Sequence, residues 1–307
     1  MFITIAGNLG SGKSTVCKIL EEKHGFSTYS TGKIQRGYAE TLGISTLEMN
    51  RLMNTDPKYD HIIDDEVVRI SEEKQGEKII FDSRMAWHFV KRSLKVFLII
   101  DPVIAAKRVI GTRTSTVEQY QSVEDAKKQL LERAKTENVR YKQIYGVDNL
   151  DYRNYDLIID TSILSPEEVA EKIYDAYCQG EDFIKQETMI YISPQNVYPT
   201  QKITEMSDDT FDYYRSLKVE EYLPIDILAF GGYHFVIDGN HRVLAAMNKK
   251  YKVIPARIIH KDEYPFYSKE ENVLRQLRAI GLTSVYDFEA IGKFKYNDYP
   301  SYYGSGK

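Results

Sequence analysis

Hydrophobic residues fall along the first half of this chain in two alternating registers. Compact β-branched runs, "FITIA" at 2–6, "KIIFD" at 78–82, "KVFLIID" at 95–101 and the run within "YDLIIDT", carry few polar interruptions. They predict inner strands of a parallel sheet, buried on both faces. Between them apolar residues recur at three- and four-residue spacing. Val16, Ile19 and Leu20 predict a helix over 13–23, and Ile62, Ile63, Val67 and Ile70 another over 60–75. Helical patterns also cover 33–42, 46–54 and, with many charges, 122–145. "EKHGFSTYSTG" reads as turn, short strand, turn. In "SPEEVAEKIYDAY", Ser165 is placed to cap a helix, Pro166 takes its first position, and Glu167 and Glu168 suit its positive end. Strand-first alternation predicts an α/β fold, a three-layer domain with a parallel sheet over 1–180.

The pattern breaks at "QGEDF" (179–183). Beyond it "MIYIS", "LPIDILAF", "YHFVID" and "KVIPARII" predict short strands, with one helix at 241–249 between them. A second, small α+β domain is expected over 187–307. Its end, "YNDYPSYYGSGK", is rich in Tyr, Pro, Gly and Ser and predicts a loose tail. Two domains also suit 307 residues, since single cores rarely grow past roughly 250–300.

Composition narrows the class. Apolar residues at 42% and charged residues at 28% fit a globular protein and exclude disordered or fibrous ones. A net charge of −4 argues against nucleic acid as the main partner, while leaving room for a local basic pocket that takes an anionic small molecule. Cys17 and Cys178 stand in no metal-ligand or disulfide pattern, which suits a reducing compartment. Cys17, among Val16, Ile19 and Leu20, is expected to be a buried helix-face thiol. The opening reads as a strand rather than a targeting leader, and no apolar run approaches the roughly 20 residues that span a bilayer. A cytoplasmic protein without a membrane partner is expected. The 24 tyrosines fit partner surfaces or half-buried core equally, and the oligomeric state is left open.

The chemistry starts at "GNLGSGKST". Gly7-x-x-x-x-Gly12-Lys13-Ser14 satisfies the phosphate-loop pattern, with a strand before it and a helix after it. Glycines let successive backbone N–H groups turn inward around a phosphate, and the helix N-terminus adds its dipole. The expected ATP-binding set is Gly7, Gly10, Ser11, Gly12, Lys13, Ser14 and Thr15. Lys13 would bridge the β- and γ-phosphates, and Ser14 would ligate Mg²⁺. "FDSR" puts Asp82, a second candidate metal ligand, and Arg84 at the carboxyl end of a strand beside the loop. "STGKIQR" offers Ser30 and Arg36 to an acceptor phosphate. Arg108 and Arg113 border a polar, lid-like stretch, and Arg133 and Arg140 lie two helical turns apart on one face. Mobile cations that exclude water suit phosphoryl transfer.

With these residues in view, "GNLGSGKSTVCKILEEKHGFSTYSTGKIQR" and "RYKQIYGVDNLDYRNYDLIIDTSILSPEEVAEKI" resemble the cytidylate kinase-like family of nucleoside monophosphate kinases, above all its compact archaeal-type branch, over residues 1–178. The resemblance implies MgATP as donor and a small-molecule phosphate acceptor, CMP or dCMP by default. It implies that Lys13 and Ser14 serve ATP and Mg²⁺, and that Ser30, Arg36 and Arg84 serve the monophosphate. Arg108, Arg113, Arg133 and Arg140 would serve the transferring phosphoryl. Where that branch tends to show "EGR" this chain has "FDSRMAW", and its lid arginines are sparser, so the acceptor base stays open.

A second loop, "DGNHRVLAA", reads as strand, tight turn and helix. Gly239 permits a left-handed turn, the helix N-terminus suits an anion, and Asp238, His241 and Arg242 are candidates to hold phosphate, metal or an acceptor hydroxyl. "ISPQNVYPTQ" with "EEYLPIDILAFGGYHFVIDGNHRVLAA" is similar to the ParB/sulfiredoxin-like superfamily over 190–260, which holds nucleotide phosphate at this turn. Sulfiredoxin chemistry would need a cysteine in the turn, and there is none. Chromosome segregation would need a helical DNA-binding domain after residue 260, which the remaining sequence does not read as. Free serine kinases use an aspartate in such a turn, matching Asp238, His241 and Arg242, with Glu205, Glu220 and Glu221 as candidate bases. The leading expectation is a phosphotransferase acting on a nucleoside monophosphate or a related metabolite. A hydroxyl kinase centred on Asp238 and a nucleotide sensor without turnover are the alternatives.

Overall fold

The computed structural model of the chain describes residues 1–44, 48–49, 52–53, 56, 58–112, 120–184, 187–203, 207–259 and 263–304. They form two compact units, one made of 1–99, 132–161 and 165–188, the other of 100–131, 162–164 and 189–307. The predicted helix over 46–54 falls mostly outside the described residues, and Arg113 and Glu205 fall wholly outside them.

The first unit is a parallel sheet. Strands β1 (Phe2–Gly7), β2 (Ser27–Ser30), β3 (Ile79–Asp82), β4 (Ser93–Ile99) and β5 (Leu157–Asp160) stand in the order β2-β3-β1-β4-β5, every neighbouring pair parallel. Helices α1 (Lys13–His24), α2 (Thr31–Thr41) and α3 (Lys58–Glu73) connect the early strands. Next come α4 (Pro102–Thr112), which belongs to the other unit, and α5 (Val123–Tyr145), which begins in that unit and ends in this one. Helix α6 (Pro166–Gln179) follows. The uninterrupted apolar runs end up covered on both faces. Phe2, Ile79 and Phe81 pack with Val67 and Ile70 of α3, while the alternate residues Ile3, Ile5 and Ile80 are fully buried as well. Helices α1 and α6 pack together, burying Val16, Leu20, Val169 and Ile173, with Cys17 buried as expected.

Local signals set the helix ends. Ser165 and Glu168 form the reciprocal capping box, the Glu168 N–H donating to Ser165 Oγ at 3.2 Å and the Ser165 N–H to Glu168 Oε2 at 2.7 Å. Trp87 sits in a single helical turn (Ala86–Phe89), buried, its indole N–H donating to Asn149 Oδ1 at 3.1 Å.

The second unit is a mixed sheet. Strands β6 (Met189–Ile192), β7 (Tyr198–Pro199), β8 (Ile225–Phe230), β9 (Tyr233–Asp238) and β10 (Ile254–Ile258) stand in the order β6-β10-β8-β9-β7. The β6–β10 and β8–β9 pairs are antiparallel, the β8–β10 and β7–β9 pairs parallel. Helices α7 (Asp208–Ser216), α8 (Asn240–Asn248) and α9 (Glu270–Gly292) complete it. Strands β6, β8, β9 and β10 and helix α8 match the sequence expectations.

Two features depart from those expectations. Residues 270–292 form a long helix, broken by non-helical backbone at Gly281 (φ 65°, ψ 173°). The predicted loose tail is anchored up to residue 304. The Tyr296 hydroxyl donates to the Val197 carbonyl at 2.7 Å and the Tyr303 hydroxyl to that of Pro199 at 2.6 Å, while Tyr296 stacks on Tyr198 at 4.3 Å. Tyr198 and Tyr233 in turn donate to the Asp298 carbonyl and carboxylate, at 3.0 and 2.7 Å. Each tyrosine buries a ring and satisfies its hydroxyl on backbone or carboxylate, so a composition typical of loose ends gives packed structure here.

Candidate active site

The phosphate loop is shaped by three glycines. Gly10 and Gly12 hold left-handed backbone (φ 80° and 84°), and Gly12 caps α1 with no side-chain partner for the first amides. The Thr15 N–H turns back onto the Gly12 carbonyl at 3.0 Å, and no side chain caps the Lys13 and Ser14 amides ahead of it, the start an anion cradle uses. At Gly7 (φ 150°), opposite Leu98 in the β1–β4 ladder, a Cβ would lie 2.4 Å from the Leu98 carbonyl oxygen. Ser11 is buried with its hydroxyl unpartnered, a polar atom awaiting a ligand that the cradle suits, while Ser14 and Thr15 are exposed at the helix start.

Parallel pairing brings the rest together. Ser30 stands opposite Asp82 at the ends of β2 and β3, and the Ser14 hydroxyl lies near enough to the Asp82 carboxylate to favour its ionised form. The Lys13 ammonium folds back, donating to the carbonyls of Gly7 (3.1 Å) and Asn8 (3.3 Å). Burial and the neighbouring Arg84 charge lower its pKa to about 8, against the opposing pull of Asp82, Cys17 and Glu137. Burial also raises Asp82 above the ordinary carboxylate range, with Lys13, Arg84 and Lys33 pulling it down. A bound divalent cation would reverse that shift. Among the described residues no three carboxylate, imidazole or thiol groups gather as a protein-only metal cage. One hydroxyl and one carboxylate are the sparse donor set that Mg²⁺ takes when phosphates complete its shell, so the residues fit MgATP.

The arginines divide. Arg84 meets Glu137 of α5 (Nε to Oε2, 3.1 Å), and Arg133 donates to the other oxygen of the same carboxylate at 2.9 Å. Arg140 instead pairs with Asp60 of α3 at 3.5 Å. Arg36 lies within α2, and Arg108 lies on α4 in the other unit. Sequence reading found the cations and missed the anions that hold them, Glu137 and Asp60. The signal was present: Glu137 sits four residues after Arg133 and three before Arg140, on the same helical face.

Beside Asp60, Asp64 is buried and accepts a hydrogen bond from the Tyr145 hydroxyl. Burial raises its pKa to about 6. The Tyr145 bond and His61 oppose that rise, and the Asp60 and Asp65 charges add to it. Between the ordinary value of 3.8 and 6 the folded chain therefore holds a proton the unfolded chain has lost. Stability from this group is full below 3.8 and declines as pH rises through 6. Asp64→Asn is expected to raise stability at neutral pH by about 1–3 kcal/mol and to flatten that decline, read from melting temperatures between pH 4 and 8.

In the second unit, β9 runs into Gly239 (φ 101°) and then α8, whose start has no side-chain cap. Asn240 is buried with both amide atoms unpartnered, while His241 and Asp238 are exposed. Arg242 donates to Asp238 of its own turn (2.6 Å) and to the carbonyls of Leu223 (2.9 Å) and Pro224 (2.6 Å), just before β8. Of the candidate bases, Glu221 is occupied in accepting from the Lys218 N–H at 2.5 Å.

A strand, a glycine loop ending on Lys13 and Ser14, and an aspartate on the adjacent strand define a P-loop kinase, an ATP-dependent phosphotransferase. Over residues 2–163 the chain belongs to the cytidylate kinase-like family, whose model matches that span. Kinases of this family use ATP with Mg²⁺. A cytidylate kinase from Methanothermobacter thermautotrophicus is 32% identical over 162 residues, covering 53% of this chain and 96% of that protein. One from Thermoplasma volcanium is 36% identical over 174 residues, 55% of this chain and 87% of that one. An S-adenosylmethionine-dependent nucleotide dehydratase from Lacinutrix mariniflava is 33% identical over 177 residues, and there the match spans only 35% of the relative. Among solved structures, a shikimate kinase from Bacteroides thetaiotaomicron covers 58% of this chain at 13% identity and a TM-score of 0.43. Among the described residues no helix is long and apolar enough to cross a membrane.

Proposed function

We propose that residues 1–180 are a nucleoside monophosphate kinase domain, with CMP or dCMP as acceptor, and that residues 187–307 are an appended ParB/sulfiredoxin-like domain. The observation that carries the first part is the meeting of Lys13, Ser14, Asp82 and Arg84 at the end of the central strands. Relatives named cytidylate kinase support the acceptor. Mg²⁺ bound with ATP supplies charge neutralisation at the phosphates. Lys13, now donating to the Gly7 and Asn8 carbonyls, would turn to the donor's phosphates, and Ser14 and Asp82 would hold the cation. Ser30 and Arg84 seat the monophosphate, and Arg133 and Arg140 cover the phosphoryl in flight. No covalent intermediate is required, because positioning and charge carry such transfers.

In the appended domain, buried Asn240 at an uncapped helix start favours a phosphate- or nucleotide-holding turn. Asp238 and His241 flank it, and Arg242 braces it. The test is ADP release from ATP with CMP, dCMP, UMP, AMP or free serine, using the full chain and its Lys13→Ala and Asp238→Ala variants. Turnover with CMP or dCMP that vanishes in Lys13→Ala is expected. Turnover with serine that disappears in Asp238→Ala moves the chemistry to the second turn. Nucleotide binding without turnover on any acceptor makes the chain a sensor.

A further inference from the structure

A carboxylate sits where cations are gathered to meet phosphates. Glu137 is largely buried, at 18% side-chain exposure, and its two oxygens are divided between two arginines from different elements. Arg133 lies one turn earlier on α5, the kind of local pair worth only tenths of a kcal/mol on a helix surface. Arg84 is different. It comes from the segment after β3, beside the phosphate loop, and its ion pair with Glu137 ties that segment to α5. Lys13 and Arg140 also feel the Glu137 charge.

Both contacts use Nε, the stem side of the guanidinium. Holding the stem side restrains the plane of the fork while its Nη end stays the farther from the carboxylate. Glu137 also offsets the mutual repulsion of Lys13 and Arg84, which would otherwise splay them before any phosphate arrives.

We propose that Glu137 is a positioning residue, aiming Arg84 and Arg133 at the phosphates through their Nε atoms. The inference rests on the proposed function for its acceptor, but not for its sign. If Glu137 merely added negative charge, or filled the phosphate seat until displaced, its removal would tighten phosphate binding and leave kcat intact. A positioning role predicts the opposite division: kcat falls although the site has gained net positive charge.

The experiment compares the full chain with Glu137→Gln, Arg133→Gln and the double variant, with CMP as acceptor. Glu137→Gln is expected to lower kcat about 10- to 100-fold with KM for CMP unchanged or lower. Melting temperature and calorimetric ATP affinity should stay close to the parent's. Arg133→Gln should cost much less in the Glu137→Gln background than alone, because the arginine is already misaimed. Unchanged kcat with a lowered KM overturns the proposal, as do losses that simply multiply in the double variant. If no monophosphate supports turnover in the parent, the acceptor assignment fails, and the slow hydrolysis of ATP by water becomes the readout. A tenfold loss there in Glu137→Gln upholds the positioning role, and equal rates overturn it. Should Glu137→Gln fail to fold, Glu137→Asp, which keeps the charge but withdraws the oxygens, must show the same drop in kcat.

Discussion

Lys13→Ala is expected to remove phosphoryl transfer, with kcat down about 10³-fold, while the melting temperature scarcely moves. The lysine's contacts are two carbonyl oxygens of its own loop, and its burial as a cation costs stability rather than adding it. Its value appears only when phosphates replace those carbonyls. The same reasoning gives a pH signature. With a pKa of about 8 in the free chain, the ammonium is partly deprotonated just above neutrality. Nucleotide phosphates would raise that pKa again, so ATP binding at pH 8–9 should take up protons, and apparent affinity should fall as pH climbs through this range. Calorimetry in buffers of different ionisation enthalpy reads the uptake directly. A transfer rate in Lys13→Ala within tenfold of the parent's would place the donor elsewhere.

Gly7→Ala should do comparable damage by a different route, through the fold. The new methyl would lie 2.4 Å from the Leu98 carbonyl oxygen and 2.8 Å from its nitrogen, backbone atoms of the neighbouring strand that cannot swing aside. The β1–β4 ladder would have to open where Gly7 faces Leu98, and φ of 150° is itself unfavourable for alanine. A loss of about 3 kcal/mol or more is expected, seen as a large fall in denaturation midpoint or as insoluble expression. Gly12→Ala is the instructive contrast. Nothing lies within 4 Å of its Cβ position, so its cost is confined to the strain of a left-handed backbone.

Much of this was legible in the residue pattern, for physical reasons. Unbroken β-branched runs mark strands covered on both faces, and "SPEE" encodes its cap in adjacent side chains, so β1, β3, β4, β5 and the start of α6 follow directly. The phosphate loop was equally plain, because its chemistry depends on backbone geometry that only glycine supplies. Helix α9 was not found, since Gly281 interrupts the period that Val273, Leu277, Val285 and Phe288 would otherwise declare. The tail was misjudged because tyrosine is ambiguous between surface and core until a partner for its hydroxyl is known. At the active site, motif reading located groups that act on a ligand. It passed over Glu137, Asp60 and Asp64, whose partners are protein groups brought near only by folding.

The placement of Trp87 has a spectroscopic consequence. It is the one tryptophan of the chain and lies in the first unit, buried and bonded to Asn149. The second unit has tyrosines but no indole. Emission excited at the red edge, where phenols do not absorb, therefore comes from the kinase unit alone. Phenol emission carries no such address, since tyrosines such as Tyr141, Tyr152 and Tyr155 lie in the first unit as well.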